Sequence, residues 1–386
     1  MNAREKFNAI MNFEYGAQNM KTEYGYWAGA LRKWIEVGLP KVEGLPDSYL
    51  EGDLVRASLT LRPDSSEFVD RAIMSYFNLD PYPSKFPCDF SPRLDKKTVE
   101  ENNDYKIFID EYGLTQKVLR KSASTPMVLK YSIKTSKDFN NYKELYSGNY
   151  SKRLPKDWKS LIKVLKERSF AIRLGGYPFG FSGIGRHLMG DVNYMMSMYD
   201  NPRLLKDINE FYLNFVMNYW SKIFNEIEID WVMIWEDMAF KTGSFISKEA
   251  FREFLTPYYI RLIDFLKQYK IKNIIVDCDG LVEELIPLWL EAGVTGVFPM
   301  EAVNDLVKIR KMYPKLQMLG GVDKKILIDG TGKDIDDELE MVSILMKKGG
   351  YIPHIDHSIP LDAEWNRLKE YRKKLNNIID SNDFSY

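Results

Sequence analysis

The chain reads as an α/β protein, a distorted (β/α)8 TIM barrel with an irregular N-terminal extension. Three observations predict this. From about Ser169 onward, six short apolar runs alternate with longer amphipathic segments. Five of the six runs end in polar, chemistry-bearing side chains, and the preceding residues lack that regularity. Strand alternating with helix means a parallel sheet with crossover helices. Polar groups at many strand ends favour a closed barrel, because an open sheet concentrates its site at one switch point while a barrel gathers residues around one mouth.

Taken in order, Met1 to about Lys41 has helix-like spacing, and KVEGLPDSYLEGD from Lys41 is rich in turn formers. The stretch PYPSKFPCDFSPRL carries four prolines, which interrupt regular elements. Tyr105 to Arg120 alternates in two β-rich arms around Tyr112-Gly113, a hairpin signal expected to form a wall or lid. Two barrel strands are expected within this irregular part, so the chain divides into an extension at 1–168 with the first barrel elements and the main barrel at 169–386.

The six runs are FAIRLGG at 170–176, IDWVMIW at 229–235, IKNIIVD at 271–277, VTGVFPM at 294–300, LQMLGGV at 316–322 and GGYIPHI at 349–355. They are expected to be parallel neighbours in sequence order. Helical patterns lie between them, with Ser247 placed as an N-cap and Gly293 as a C-terminal cap.

With 386 residues and 45% hydrophobic content, the chain can bury a large core. Its 54 basic and 55 acidic residues are interspersed, for a formal net charge of −1, which gives no electrostatic footprint for nucleic acid or an anionic membrane. The two cysteines, Cys88 and Cys278, make no disulfide framework and point to a reducing compartment, the cytoplasm. No apolar run has membrane-spanning length. A small-molecule substrate is the partner that remains, and the oligomeric state is left open.

The strand ends supply the candidate site. Two of the three histidines sit in GGYIPHIDHSIP at 349–360, and the expected facing stretch is IKNIIVDCDG at 271–280. Glu236, Asp237, Glu301 and His357 are the candidate catalytic groups, able to give or take protons. Asp277, Asp323, His354 and Asp356 are the candidate substrate-binding groups. Strand alternation sends His354 and Asp356 to one face and His357 to the other, unless the strand ends first. Pro353 and Pro360 bracket the segment, so His357 can turn inward. His187 in GIGRHLMGD is expected at a helix start on the rim. Cys278 reads equally as a small buried apolar side chain, and the carboxylates equally as salt-bridge partners.

From Phe170 to about Leu375 the chain resembles the uroporphyrinogen decarboxylase superfamily, which includes cobalamin-linked methyltransferases. The pieces that carry the resemblance are GGYPFGFSGIGRHLMG, MIWEDMAFKTGSFISKEAFREFLTPYY, VDCDG, GVFPMEAVNDLVKIRKMYPKLQMLGGVDK and GGYIPHIDHSIP. The resemblance implies a distorted TIM barrel with its site at the strand carboxyl ends. The superfamily's decarboxylase carries an arginine-rich N-terminal segment for its porphyrinogen carboxylates. The comparable stretch here, YGYWAGALRKWIEVGLP, offers only Arg32 and Lys33.

The methyltransferases bind zinc through a His-x-Cys pair and a later cysteine. Those positions are Val276, Cys278 and His357 here, so the resemblance implies zinc held by Cys278 and His357, and Glu236, on an earlier strand end, is a further candidate ligand. It implies methyl transfer on a small methylated compound with cobalamin supplied by a corrinoid protein, since the chain has no Asp-x-His-x-x-Gly signature of its own. A cofactor-free decarboxylase of a carboxylic acid or porphyrinogen, and a non-catalytic small-molecule binding protein, are the alternatives.

Overall fold

The computed structural model describes residues 1–41, 52–57, 68–69, 71–120, 125–146, 148 and 150–381. The turn-rich stretch after Lys41 falls largely outside them.

Seven parallel strands form one curled sheet: β1 Ser84–Lys85, β2 Ile172–Gly175, β3 Trp231–Trp235, β4 Ile274–Asp277, β5 Gly296–Phe298, β6 Gln317–Leu319 and β7 Tyr351–Ile352. The six runs read from the sequence are β2 to β7, hydrogen-bonded as neighbours in sequence order. β1 adds at the β2 edge from within the proline-rich stretch. Of the two barrel strands expected before β2, β1 joins the seven-stranded sheet, and the strand Gly25–Trp27 meets the far edge through a single parallel bridge, Tyr26 to Ile359.

Among the described residues no strand joins β7 to β1 in the sheet. Residues 19–27 fill that position. On the β7 side, Asn19 donates to the Tyr351 carbonyl, the Glu23 carboxylate accepts from Ile355 N–H, and Ile359 N–H donates to Gly25. On the β1 side, Asp80 N–H donates to the Lys21 carbonyl. The segment is pinned by a buried ion pair, Arg372 Nη1 to Glu23 Oε1 at 2.8 Å, which ties it to the C-terminal helix Trp365–Ser381.

Inside the barrel, Met233, Ile275, Gly296 and Gln317 share one level, and Trp235, Asp277 and Phe298 stand on the next. The helix Ala3–Met11 plugs the amino end, its Phe7 ring 5.8 Å from Trp231. Access to the interior is therefore from the carboxyl ends of the strands.

Among the crossover helices, Pro202–Phe224 is continuous, while the next pattern breaks at Leu255 into Lys248–Phe254 and Thr256–Gln268, where Pro257 enters the second helix's first turn. Ser247 caps as expected, accepting from Ala250 N–H, and Gly293 takes the left-handed conformation at φ 96°. The expected hairpin forms too: Tyr105–Ile109 pairs antiparallel with Thr115–Leu119 as the centre of a four-stranded sheet outside the barrel.

Removing one member of a buried ion pair leaves an uncompensated charge. Arg372→Met is therefore expected to destabilise the fold by about 3–5 kcal/mol. Urea unfolding measures this, and a loss below about 1 kcal/mol would contradict the pinning role.

Candidate active site

The polar strand ends do not all face the same space. Glu236 lies completely buried just beyond β3. Its carboxylate accepts from the Phe181, Ser182 and Gly183 N–H groups at 2.8, 2.6 and 3.0 Å and from the Tyr259 hydroxyl at 2.5 Å. The three amides are the first of the helix Phe181–Met189, so Glu236 anchors a helix N-terminus. The approach depends on glycines: a Cβ on Gly180 or Gly183 would sit 1.8 or 2.1 Å from the Trp235 carbonyl oxygen.

Asp237, the next residue, has a left-handed backbone at φ 44°. Arg186 donates to the Glu236 carbonyl at 3.0 Å, to the Asp237 carbonyl, and to Asp191 at 2.8 Å, fixing the bend. Burial raises the Asp237 carboxyl above its ordinary range, and Arg186 opposes the shift. A non-glycine residue held in this region at a strand end is characteristic of functional sites.

Asp277 and Asp279 bracket Cys278 at the end of β4. Burial pushes Asp277 up to about 7 against the opposing charge of Arg173, and pushes Asp279 up to about 8 with help from Asp237 and Asp277. His357 has turned inward, its Nε2 3.7 Å from Asp279 Oδ2, and burial holds it down at about 4. Glu301 accepts from Gly280 N–H at 2.8 Å and meets Lys324 at 3.3 Å, and Lys324 also lies 3.3 Å from Asp356. Asp237, Asp277, Asp279, Glu301, Asp356 and His357 thus gather at one mouth, with Lys324 among them.

Beneath them the rings of Tyr24, Tyr82, Phe298 and His354 pack together; Tyr82 and His354 lie 5.5 Å apart, and Tyr24 and Phe298 4.8 Å. His354 is fully buried, held down at about 4, with Nδ1 2.7 Å from its neighbour's carbonyl and no partner on Nε2. Arg56 stacks over Tyr24 at 3.9 Å, and Arg173 rises inside the barrel from β2.

Three site expectations need correction. Glu236, expected to be catalytic and to bind a metal, has its carboxylate taken up by four donors in the helix anchor. Asp323, expected to bind substrate, caps the short helix Lys324–Leu327 by accepting from Lys325 N–H at 2.9 Å. His187, expected at a helix start, lies in the last turn of Phe181–Met189, with Nδ1 3.0 Å from the Tyr177 hydroxyl.

The zinc donor set does not fit either. Cys278 is completely buried, and its sulfur accepts from Met238 N–H at 3.2 Å. Val276 offers no donor at the third position. Among the described residues no group of three His, Cys, Asp or Glu side chains is placed to hold a metal ion. Added zinc is accordingly expected to leave the melting temperature unchanged, and a rise at stoichiometric zinc would overturn this.

Sequence reasoning missed Arg56, Arg173, Tyr24, Tyr82 and Lys324. A signal existed for Arg173, an arginine at an inward position of an otherwise apolar run. Arg56 carried none, because its place follows from the irregular closure.

Because Asp277 and Asp279 hold their protons more tightly when folded, their stabilising contribution is complete below about pH 4. It is lost as pH rises through about 7 and about 8 respectively. Asp277→Asn keeps the shape and removes one titration. Its melting temperature should gain on the wild type progressively from about pH 4 to about pH 8. A constant difference across that range, read by circular dichroism, contradicts the assignment.

Comparison with known proteins agrees with this architecture. The uroporphyrinogen decarboxylase (URO-D) family model matches residues 106–376, more than half of the chain. Among solved structures, a methyltransferase from Methanosarcina mazei superposes with a TM-score of 0.57 at 13% identity, covering 99% of each chain. Among the curated proteins nothing matches. No helix among the described residues is long and apolar enough to cross a membrane. A parallel barrel with the matched segments in family order, closing on a polar mouth, places this chain in the uroporphyrinogen decarboxylase family.

Proposed function

We propose that the chain is a methyltransferase that works with a corrinoid-carrying partner protein on a small methylated compound bound in the barrel mouth. The observation that carries the reading is the pair Asp277 and Asp279. Burial pushes the two carboxyls up to about 7 and about 8, and Asp279 stands 3.7 Å from His357, at the carboxyl end of the barrel, opposite the helix plug. Breaking a methyl–oxygen or methyl–nitrogen bond leaves the electron pair on the heteroatom, which needs a proton to depart readily. Asp279 is the donor better suited to this, since it keeps its proton to the higher pH, and Asp277 stands behind it. A corrinoid on the partner would supply the nucleophile that receives the methyl group.

The chain's own part is to orient the substrate, protonate the leaving atom and exclude water. Large apolar side chains on loops after the strands are exposed around the mouth: Tyr177 after β2, Phe240 after β3 and Val303 after β5. Such a rim suits docking of a carrier protein over the opening. The net charge of −1 suits a small substrate rather than a polyanion, and the two cysteines are free, in keeping with a reducing cytoplasm.

A second reading has its own support. Arg56 and Arg173 supply cations that the N-terminal segment lacks, and a cofactor-free decarboxylase of a small acid would need them to hold its substrate. Incubation with reduced corrinoid and candidate methyl ethers or methylamines separates the two: a change in corrinoid absorbance marks methyl transfer, and carbon dioxide release from an acid marks decarboxylation. Asp279→Asn should lower the transfer rate by about 10²–10⁴-fold with the fold intact. Wild-type activity should fall above about pH 8 as Asp279 loses its proton. Full activity in Asp279→Asn would remove the general acid from this account.

A further inference from the structure

We infer that the floor of the mouth is a carboxylate subsite formed by Arg56, Arg173 and the Tyr82 hydroxyl, so that the substrate is a small monocarboxylic acid. The inference rests on the mouth being the active site and adds the chemical class of what enters it.

The other cations in and under the barrel are answered by protein groups. Lys324 lies between Glu301 and Asp356, Arg186 bonds Asp191 and two carbonyls, Arg168 pairs with Asp230, and Arg372 pairs with Glu23. Arg173 is not answered in this way. It is 7% exposed, its Nε has no partner, and Nη1 donates at 2.5 Å to the sulfur of Met233, a weak acceptor that neutralises no charge. Among the described residues no carboxylate lies within 4 Å of it. Arg56 is alike: it stacks on the Tyr24 ring, and its buried Nε and Nη1 have no partner among the described residues.

Tyr82 is 2% exposed, and its hydroxyl also lacks a partner among the described residues. Arg173 and Arg56 both act electrostatically on Tyr82 and on Asp277, which puts all of these groups at one end of the barrel. Buried guanidinium groups without a counterion are strongly disfavoured, and a native protein keeps them where a ligand completes them.

The shape of the donors selects the ligand. Two planar guanidinium groups and a hydroxyl match the two oxygens of a carboxylate. A phosphate, carrying more charge, would be repelled by the opposite wall of Asp237, Glu301 and Asp356. Phe298, packed against Tyr24 and Tyr82, makes the wall beside them apolar. A substrate bound in this way presents its far end to Asp277 and Asp279.

Titration calorimetry of the full chain at neutral pH tests this with benzoate and butyrate against their neutral amides, benzamide and butyramide. At least one carboxylate should bind, with its amide at least about tenfold weaker. Arg173→Met and Arg56→Met should each weaken the carboxylate by about tenfold or more and leave the amide unchanged. Arg56 is only partly buried, so its variant remains informative if Arg173→Met does not fold. Absence of carboxylate binding in the millimolar range, equal binding of acid and amide, or full binding in the variants overturns the subsite. Carboxylate binding without any corrinoid-linked turnover leaves the subsite standing and removes the proposed reaction.

Discussion

A charge taken into the interior of this barrel has to be met by an opposite charge or by hydrogen-bond donors, and the way each one is met divides the molecule into scaffold and site. At the amino end, Asp230 receives both Arg4 at 2.7 Å and Arg168 at 2.8 Å. Glu23 receives Arg372, and Glu236 receives three amides and a hydroxyl. These groups are satisfied and hold the barrel shut, its N-terminal segment in place and its first long crossover anchored. At the mouth the balance is left open: two acids keep their protons because burial and neighbouring carboxylates outweigh the nearby cations, and two arginines have no carboxylate within ion-pair distance among the described residues.

The scaffold and the site are coupled through β3. The close approach of Gly180 and Gly183 to the Trp235 carbonyl brings a helix terminus onto Glu236. Arg186 from the same helix then holds the Asp237 backbone in its left-handed bend, and Asp237 raises the proton affinity of Asp279 across the mouth. A change at the helix anchor should therefore be felt at the acids without touching them.

The barrel was legible because β2 to β7 are short β-rich runs punctuated by helices with clear caps, and their order in the sheet follows from the crossover rule. Its closure was not. Residues 19–27 fill the last position through a side-chain amide, a carboxylate and isolated backbone bonds, which leave no periodic trace. In the site, Asp277, Asp279, Glu301, Asp356 and His357 were visible as polar groups at strand ends. Glu236 was visible for the same reason and yet performs a different task, because the sequence shows that a carboxylate ends a strand and not which donors it meets. Arg56 and Tyr82 come from the irregular N-terminal part, where spacing carries no information about what faces the barrel axis.

The central claim is that two carboxyl groups at the mouth remain protonated near neutral pH. The direct measurement is a pH titration of protein labelled with ¹³C at the aspartate carboxyl carbons, with Asp277→Asn and Asp279→Asn used to assign the signals. The account predicts two resonances with midpoints near 7 and 8, each lost in one variant. If Asp277 and Asp279 instead both titrate in the ordinary range near pH 4, the mouth holds no neutral acids and the account fails.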